Sequence, residues 1–320
     1  MVGKICGVGS TTPSNEVTNF QLEKRLDTTD QWIRERTGIS TRFIIEDETT
    51  SSMAVTAAQR AIKAGNISPE EIDMIILSTV TPDMVVPSVS CIVQKHIGAV
   101  NAFCLDINAA CVGFLMAMNM AQDAIKAGRV KMALVIGVES LSTLADKDDR
   151  STAPLFGDGA GAVCLKADNS IKMEAVIHSD GTKGDYLTCE TRRQKNWQQR
   201  EEIKATYLSM GGQDVFRFAT TEVPKSIKEV LLKANIEIDQ VDYFVLHQAN
   251  KRIIEAISRR LKVDISKFPM NINKYGNTSS ASIPLLLDDM YKEGLLKEGT
   301  RLVISGFGGG LTWGASYLEI

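Results

Sequence analysis

Residues 106–114, DINAACVGF, place a cysteine where a loop of small residues enters a long apolar helix. A helix N-terminus carries about half a positive charge and unpaired N–H groups. A thiol there is expected to be partly ionised near neutral pH and able to attack a thioester. Cys111 is therefore the candidate nucleophile. The alternative is a buried small hydrophobe, which most free cysteines are.

Two later segments supply the partners that such a thiol needs. His247 follows the apolar run of residues 241–246, and Asn277 precedes a further helix. Taken singly, the histidine fits a capping or core role and the asparagine fits a helix N-cap. Together with Cys111 they predict a Cys-His-Asn acyl-transfer site.

The composition predicts a folded globular protein. The chain has 320 residues, 44% hydrophobic content and 8 prolines, enough to bury a substantial core. Its longest apolar runs are strand-sized, well short of the roughly 20 residues that cross a bilayer. The N-terminus lacks the pattern of a secretory signal. We expect a cytoplasmic protein without a membrane segment.

The net charge and the spacing of the cysteines and histidines argue against a nucleic-acid-binding, zinc-binding or disulfide-rich protein. A net charge of −3 gives no electrostatic footprint for nucleic acid. The 6 cysteines contain no CxxC motif, and the 3 histidines show no metal-ligand spacing. We therefore expect neither a structural zinc site nor a disulfide framework.

Two long segments look like copies of one unit. Residues 57–77 and 224–246 each read as a helix, an Asn-Ile pair, a short acidic loop and a buried strand. Asp73 and Asp242 are 169 residues apart, as are Gly137 and Gly306. This offset predicts a duplicated α/β unit. The alternative is coincidence, because helix–loop–strand segments resemble one another.

The expected halves are residues 1–169, with the cysteine, and residues 170–320, with the histidine and the asparagine. Their alternating helices and β-branched strands predict mostly parallel sheets covered by helices. The offset sets His247 opposite Ser78 at matching strand ends, and Cys111 opposite Ser280 at matching helix starts. Sites in open α/β sheets gather at the carboxyl ends of strands, so these pieces should share one cleft.

Two glycine-rich segments are not phosphate loops. Residues 306–314, GFGGGLTWG, follow an apolar strand and lack the Lys-Ser/Thr pair and the helix of such a loop. One of their backbone N–H groups could instead donate to an oxyanion. Residues 157–162, GDGAGA, run directly into a strand and are predicted to form a tight turn.

Six motifs together resemble β-ketoacyl-acyl carrier protein synthase III, the initiating condensing enzymes of bacterial fatty acid synthesis. The resemblance covers nearly the whole chain and implies an α/β thiolase-like fold of duplicated α-β-α-β-α layers. Elongating synthases use a Cys-His-His set and hydroxymethylglutaryl-type enzymes use a glutamate, so Asn277 argues against both. The motifs are DQWIRERTGI (30–39), DINAACVGF (106–114), FGDGAGA (156–162), HQAN (247–250), YGNTSSAS (275–282) and GFGGGLTWG (306–314).

The resemblance implies a role for each residue of the site. Cys111 would take an acyl group from acyl-CoA, a substrate; no cofactor and no metal are implied. His247 and Asn277 would bind the thioester carbonyl of malonyl-acyl carrier protein and stabilise the enolate left by decarboxylation. The N–H groups of Cys111 and Gly309 would hold the tetrahedral oxyanion, and Phe307 would pack beside the thiol and favour decarboxylation.

The resemblance also implies a binding site for coenzyme A. Trp32 and Arg150 would sandwich the adenine, because indole and guanidinium faces are planar and polarisable. Thr28, Arg36 and Asn250 would lie nearby.

A basic helix over residues 250–262 is the expected docking surface for the acidic carrier protein. Arg252 resembles the family's docking arginine. A charged helix face is otherwise a solvated face. The remaining candidates for this surface are Lys251, Arg259, Arg260 and Arg217.

The family resemblance assigns pocket roles to two further residues and implies a homodimer. Met210 resembles the lining of the substrate gorge. Val86 resembles a position, often aromatic, that closes the partner's acyl pocket across the dimer interface. Because valine leaves more room, we predict tolerance of acyl groups larger than acetyl.

Residues 188–204 fit the family poorly and are densely charged. They are predicted to form a surface loop. The loop either shapes access for acyl-CoA or is a tolerated insertion.

The sequence leaves two rival functions open. The same fold and cysteine could transfer the acyl group to a hydroxyl, an amine or another thioester. The second rival function is that of a non-catalytic scaffold that binds the carrier protein. His247 and Asn277 favour condensation, because simple transfer has no enolate to stabilise.

Overall fold

The computed structural model of the chain describes residues 1–190 and 206–320. The predicted surface loop over residues 188–204 falls largely outside these ranges. Its basic residues, Arg192, Arg193, Lys195, Arg200 and Lys204, lie outside the described residues.

The strands and helices alternate along most of the chain. The strands are β1 (Val2–Thr11), β2 (Asn15–Thr18), β3 (Thr41–Ile44), β4 (Met74–Ser78), β5 (Phe103–Ile107), β6 (Met132–Glu139), β7 (Gly159–Asp168), β8 (Met173–Ser179), β9 (Leu187–Thr188), β10 (Ser209–Met210), β11 (Tyr243–Leu246), β12 (Arg301–Gly308) and β13 (Thr312–Glu319). The helices are α1 (Asn19–Glu23), α2 (Asp30–Thr37), α3 (Thr50–Ala64), α4 (Val89–Ile97), α5 (Gly113–Lys126), α6 (Gly212–Ala234), α7 (Lys251–Leu261), α8 (Ile272–Tyr275) and α9 (Ser282–Lys292).

Two large sheets form the framework of the described chain. The first has the strand order β1-β7-β6-β4-β5 and the second has the order β11-β12-β13-β8. Strands β4 and β6 are buried along their whole length, which matches their continuous apolar sequences.

The prediction of mostly parallel sheets is wrong. Among the strands that the structure describes, only β4 with β5, β4 with β6 and β11 with β12 pair in parallel. The pairs β1–β7, β6–β7, β12–β13 and β8–β13 are antiparallel. In the second sheet the reason is local. The glycine-rich residues 309–311 reverse the chain within three residues, so β13 returns beside β12 in the opposite direction.

Helices and sheets stack in five layers. Helices α5 and α9 pack between the two sheets, α3 and α4 cover the outer face of the first sheet, and α6 and α7 cover the second. Helix α5 is buried on nearly all sides, as its apolar sequence demands. This is the expected α/β fold of duplicated layers.

The offset of 169 residues recurs between the elements of the two halves. It relates β4 to β11, β6 to β12 and α5 to α9 at their first residues. It also relates the 3-10 turn Ala110–Val112 to the 3-10 turn Ser279–Ala281. We call the first of these the cysteine turn and the second the serine turn.

The repeated aspartates perform the same task in both halves. The Asp73 carboxylate accepts a hydrogen bond from the Met132 N–H at 3.0 Å, and the Asp242 carboxylate accepts one from the Arg301 N–H at 2.8 Å. Each ties the start of a buried strand to its neighbour. The expected boundary at residue 169 lies between β7 and β8. The division into two domains stays a prediction.

The described residues contain neither a candidate membrane-spanning helix nor a candidate metal site. No helix in residues 1–190 and 206–320 has the length and apolar character needed to cross a bilayer. Within the same ranges, no three His, Cys, Asp or Glu side chains are grouped so that they could hold a metal ion.

Candidate active site

The cysteine turn lies in a tightly packed junction between β5 and α5. Ala110 adopts a left-handed conformation with φ 47°. A Cβ built on Gly308 would lie 2.8 Å from the Cys111 backbone nitrogen and 3.0 Å from that of Val112. Only a residue without a side chain allows β12 to approach so closely. The backbone of the nucleophile is therefore held directly against the glycine-rich strand.

His247 lies at the carboxyl end of β11, where the sequence predicted it. Its backbone N–H donates to the Ser305 carbonyl at 2.9 Å, which extends the pairing with β12. The side chain is 3% exposed. Burial lowers the pKa of His247 to about 3, so the imidazole is neutral at physiological pH.

The hydrogen bonds of Ser282 determine which nitrogen of His247 carries the proton. The Ser282 Oγ lies 2.7 Å from the His247 Nδ1 and accepts a longer bond, 3.4 Å, from the Gln248 N–H. Among the described residues the Ser282 hydroxyl has only these two partners, and the Gln248 N–H is a donor. The hydroxyl proton therefore points to Nδ1. Nε2 is left as the protonated nitrogen, a hydrogen-bond donor.

Asn277 is oriented in a similar way. Its Oδ1 accepts a hydrogen bond from the Ser279 N–H at 2.9 Å. Its own backbone N–H donates to the Leu155 carbonyl at 2.8 Å, and its carbonyl accepts from the Gly157 N–H at 3.1 Å. Because the Oδ1 is held by the Ser279 N–H, the Nδ2 group is the part of the amide that can donate to a ligand.

One cavity of about 910 Å³ brings the predicted residues together. Cys111, His247 and Asn277 line it with Phe307 and Gly309, although Cys111 and His247 are 136 positions apart in sequence. The Phe307 ring meets the His247 ring nearly edge to face, with centroids 5.5 Å apart. Apolar side chains form much of the remaining wall, among them Leu144, Leu187, Leu208, Met210, Val215 and Phe216.

The prediction of a partly ionised thiol is wrong for the free enzyme. Burial raises the pKa of Cys111 to about 11, opposed by the neighbouring Ser279 hydroxyl and reinforced by the Glu139 carboxylate. Helix α5 begins only at Gly113, two residues beyond the cysteine. The thiol is thus protonated at neutral pH.

Comparison with known proteins identifies the family of the chain. The family described as 3-Oxoacyl-[acyl-carrier-protein (ACP)] synthase III matches residues 105–181, and its C-terminal counterpart matches residues 231–320. The beta-ketoacyl-[acyl-carrier-protein] synthase III of Clostridium acetobutylicum is 48% identical over 318 residues, covering 99% of this chain and 98% of the relative. The chain belongs to the β-ketoacyl-[acyl-carrier-protein] synthase III family. It is an acyltransferase of the initiating condensation in fatty acid synthesis, as predicted.

Solved structures agree on the fold. The 3-oxoacyl-[acyl-carrier-protein] synthase III from Aquifex aeolicus VF5 superposes with a TM-score of 0.93 at 42% identity, covering 99% of this chain and 100% of that one. The priming β-ketosynthase from the R1128 polyketide biosynthetic pathway superposes with a TM-score of 0.94 at 36% identity, covering 100% and 96%. The predicted thiolase-like fold is confirmed.

Two of the residues expected to bind coenzyme A contact each other. The Arg150 guanidinium lies over the Trp32 ring, 5.1 Å from its centroid. An adenine between them needs about 7 Å, twice the contact distance of carbon atoms. Arg150 would have to move outward to admit an adenine, and the ion pair that it forms among the described residues is the exposed one with Asp27 at 3.4 Å. The Thr28 hydroxyl is buried without a partner in the described residues.

Helices α2 and α7 contact each other. The Asn250 side chain caps α7 by accepting from the Arg252 N–H, and its Nδ2 donates to the Arg36 carbonyl at 3.0 Å. Asn250 also lines the cavity. It therefore joins the expected nucleotide site to the mouth of the cleft.

The basic candidates for carrier-protein docking divide into two groups. Arg252, Arg259 and Arg217 are exposed and form no ion pair with any residue that the structure describes. Lys251 lies 3.7 Å from Glu255, and Arg260 donates to the Thr220 carbonyl at 2.7 Å. Arg260 thus joins α7 to α6, a structural role that its sequence position did not reveal.

The two pocket candidates also differ. Met210 lines the cavity, as predicted. Val86 is 80% exposed and does not line the cavity of the single chain, whereas its neighbour Val85 does. The predicted contact of Val86 with a partner's pocket stays a prediction.

The raised pKa of Cys111 has a measurable consequence. Because only the thiolate reacts, alkylation of Cys111 by iodoacetamide should accelerate by about tenfold per pH unit between roughly pH 7 and pH 9. Peptide-resolved mass spectrometry measures the rate, and Cys111→Ala identifies the signal. A rate that levels off below about pH 8 would contradict a buried, protonated thiol.

Proposed function

We propose that the enzyme acylates Cys111 with the acyl group of an acyl-CoA and then condenses this group with malonyl-acyl carrier protein. The products are a β-ketoacyl-acyl carrier protein, CO2 and coenzyme A. One observation carries the proposal. Two neutral donors, the protonated Nε2 of His247 and the Nδ2 of Asn277, belong to the lining of the cavity that holds the thiol.

In the first half-reaction Cys111 attacks the thioester carbonyl of acyl-CoA. The bond from the Cys111 sulfur to the acyl carbon forms, and the bond from that carbon to the coenzyme A sulfur breaks. The thiol proton leaves Cys111 and the departing coenzyme A sulfur gains one, so charge is balanced. The N–H groups of Cys111 and Gly309 are the proposed donors to the tetrahedral oxyanion.

In the second half-reaction the malonyl group loses CO2. The electron pair of the broken carbon–carbon bond moves onto the thioester, and its oxygen becomes an enolate. His247 and Asn277 donate to that oxygen. The enolate carbon attacks acyl-Cys111, and the expelled thiolate takes up a proton. Preorganised donors in a site with little water stabilise such charge strongly.

The state of His247 suits this role over a wide pH range. Its pKa of about 3 lies far below neutral pH, so the ring stays uncharged. A charged imidazolium would have to be desolvated, whereas a neutral ring costs less to bury. Phe307, packed against the ring, keeps it in place.

The two half-reactions give a direct test. His247→Ala and Asn277→Ala should slow decarboxylation of malonyl-acyl carrier protein by about a hundredfold, the usual effect of losing one such donor. Acylation of Cys111 by acyl-CoA should change much less, because neither donor serves it. Release of labelled CO2 and intact mass measure the two steps.

Asn271→Ala is the matched control. Asn271 has the same 8% exposure as Asn277 and lies six residues before it, yet it does not line the cavity. It should leave both steps within about twofold of wild type. Equal loss of both steps in the His247 and Asn277 variants would contradict the proposal.

We propose that the two substrates use neighbouring parts of the entrance. Trp32 and Arg150, with Thr28, Arg36 and Asn250 beside them, would receive the nucleotide of coenzyme A. Arg252 would pair with the acidic carrier protein, supported by Arg217 and Arg259. Exposed cations without an internal partner can pair with an acidic protein at little cost.

Reciprocal variants separate these two sites. Trp32→Ala should raise KM for acyl-CoA by about tenfold and leave KM for malonyl-acyl carrier protein nearly unchanged, since only coenzyme A carries adenine. Arg252→Glu should do the reverse, with a stronger effect at low salt. Steady-state kinetics measure both values.

Arg129→Glu is the charge control, because Arg129 is exposed and follows the far end of α5. It should alter neither KM. Parallel changes in both KM values in either entrance variant would contradict separate sites.

We also propose a homodimer formed along β5. This strand lies at the edge of the first sheet, and Phe103 on it is 53% exposed. Val85 and Val86 are highly exposed as well. Unpaired strand edges with apolar side chains are suited to association with a second copy. The cytoplasmic location expected from the sequence remains a prediction.

A further inference from the structure

A buried carboxylate lies behind the candidate active site and was not among the predicted residues. Glu139 is the last residue of β6 and is 0% exposed. Its two oxygens accept hydrogen bonds from five groups. These are the Val80 N–H at 3.0 Å, the Thr81 hydroxyl at 2.9 Å, the Thr79 hydroxyl at 3.3 Å, the Ser280 hydroxyl at 2.8 Å and the Ser279 hydroxyl at 3.3 Å.

The two oxygens of Glu139 bind different halves of the chain. Oε2 accepts from the segment that follows β4, in the first half, whereas Oε1 accepts from the serine turn, in the second half. One side chain therefore connects the two halves behind the cavity wall. Charge-assisted hydrogen bonds of this kind are stronger than neutral ones.

The serine turn in turn orients Asn277. The Ser279 N–H donates to the Asn277 Oδ1, and this bond determines which end of the amide can donate to a substrate. Ser279 has a φ of 49°, in the left-handed region that a residue with a side chain seldom adopts. Such a conformation persists only when its surroundings hold it. The Glu139 carboxylate is the acceptor that holds the Ser279 and Ser280 hydroxyls.

We propose that Glu139 is a positioning residue that fixes the serine turn and, through it, the donor geometry of Asn277 in the decarboxylation step. The inference rests on the proposed function and adds to it a residue that does not line the cavity. Glu139 touches neither substrate in this account; it acts through the turn.

The surroundings of Glu139 explain why a carboxylate is used. Burial raises the pKa of Glu139 to about 7, and the bonds from Val80, Ser280, Thr81 and Ser279 oppose that rise. The Val80 N–H can only donate, so it needs an acceptor whether or not Glu139 is ionised. A carboxylate offers two acceptor oxygens, one for each half. A glutamine of the same size offers only one.

Two variants test the positioning role. Glu139→Gln should slow decarboxylation of malonyl-acyl carrier protein by roughly tenfold or more. Its one amide oxygen must accept from the Val80 N–H, so the serine turn loses its acceptor. Ser280→Ala keeps the carboxylate, removes one of its bonds to the serine turn and should act in the same direction. Acylation of Cys111 by acyl-CoA should change by less than about threefold in Ser280→Ala and should not slow in Glu139→Gln, because loss of the Glu139 charge lowers the pKa of the thiol.

Asp158→Asn is the matched control. Asp158 is also 0% exposed and accepts hydrogen bonds from Ser142 and Ile45, but it does not contact the serine turn. It should affect thermal stability without separating the two half-reactions. Circular dichroism and the melting temperature report on folding in all three variants.

The possible outcomes are distinct. A selective loss of decarboxylation in Glu139→Gln and Ser280→Ala supports the inference. Equal slowing of both half-reactions, or no change in folded variants, overturns it. Wild-type enzyme that acylates Cys111 but leaves malonyl-acyl carrier protein intact would overturn the proposed function, and this inference with it.

Discussion

At the cysteine turn and the serine turn, the two halves of the chain meet with backbone packed against backbone. A Cβ built on Gly137, in the first half, would lie 2.4 Å from the Ser280 carbonyl oxygen in the second, and one on Gly308, in the second half, would lie 2.8 Å from the Cys111 nitrogen in the first. The Ser280 Oγ also lies 3.1 Å from the Ser78 carbonyl oxygen. This close approach of backbones depends on glycine and brings the cysteine turn and the serine turn together at the start of the two central helices. The positions of Cys111 and Asn277 depend on this close approach of the two turns.

The site that results contains a protonated thiol and neutral donors, with the buried side chain of Glu139 behind them. Burial keeps His247 uncharged and Cys111 protonated. Neutral donors of this kind favour a reaction in which a substrate oxygen gains negative charge only as the reaction proceeds. Formation of an enolate by decarboxylation is such a reaction. A base-catalysed transfer to a hydroxyl would need a proton acceptor, and a histidine with a pKa of about 3 is a poor one.

Much of the architecture could be predicted from the sequence because it depends on periodic patterns. The repeat offset, the apolar strands and the clustering of Cys111, His247 and Asn277 all follow from local apolar runs and their spacing. Strand direction did not follow, because a three-residue reversal after β12 outweighs the general preference of alternating helices and strands. The state of the thiol was mispredicted since the helix N-terminus is visible in sequence while the depth of burial is not.

Contacts between distant segments set a second limit. Glu139 reads as a single acid after an apolar strand, and nothing local shows that it bridges two halves. Ser282 selects the donor nitrogen of His247 from 35 positions away. Arg260 looks like a surface cation, but its guanidinium is committed to α6. Such roles depend on tertiary hydrogen bonds, which residue type and spacing do not encode.

The central claim is that Cys111 carries the acyl group between two substrates in one cleft. Intact mass of wild type and Cys111→Ala after exposure to a panel of acyl-CoAs, before and after addition of malonyl-acyl carrier protein, tests it most directly. We expect a single adduct that requires Cys111, forms with groups larger than acetyl as well, and disappears on addition of malonyl-acyl carrier protein with release of CO2. An adduct that persists after that addition, or the absence of any adduct, would contradict the claim.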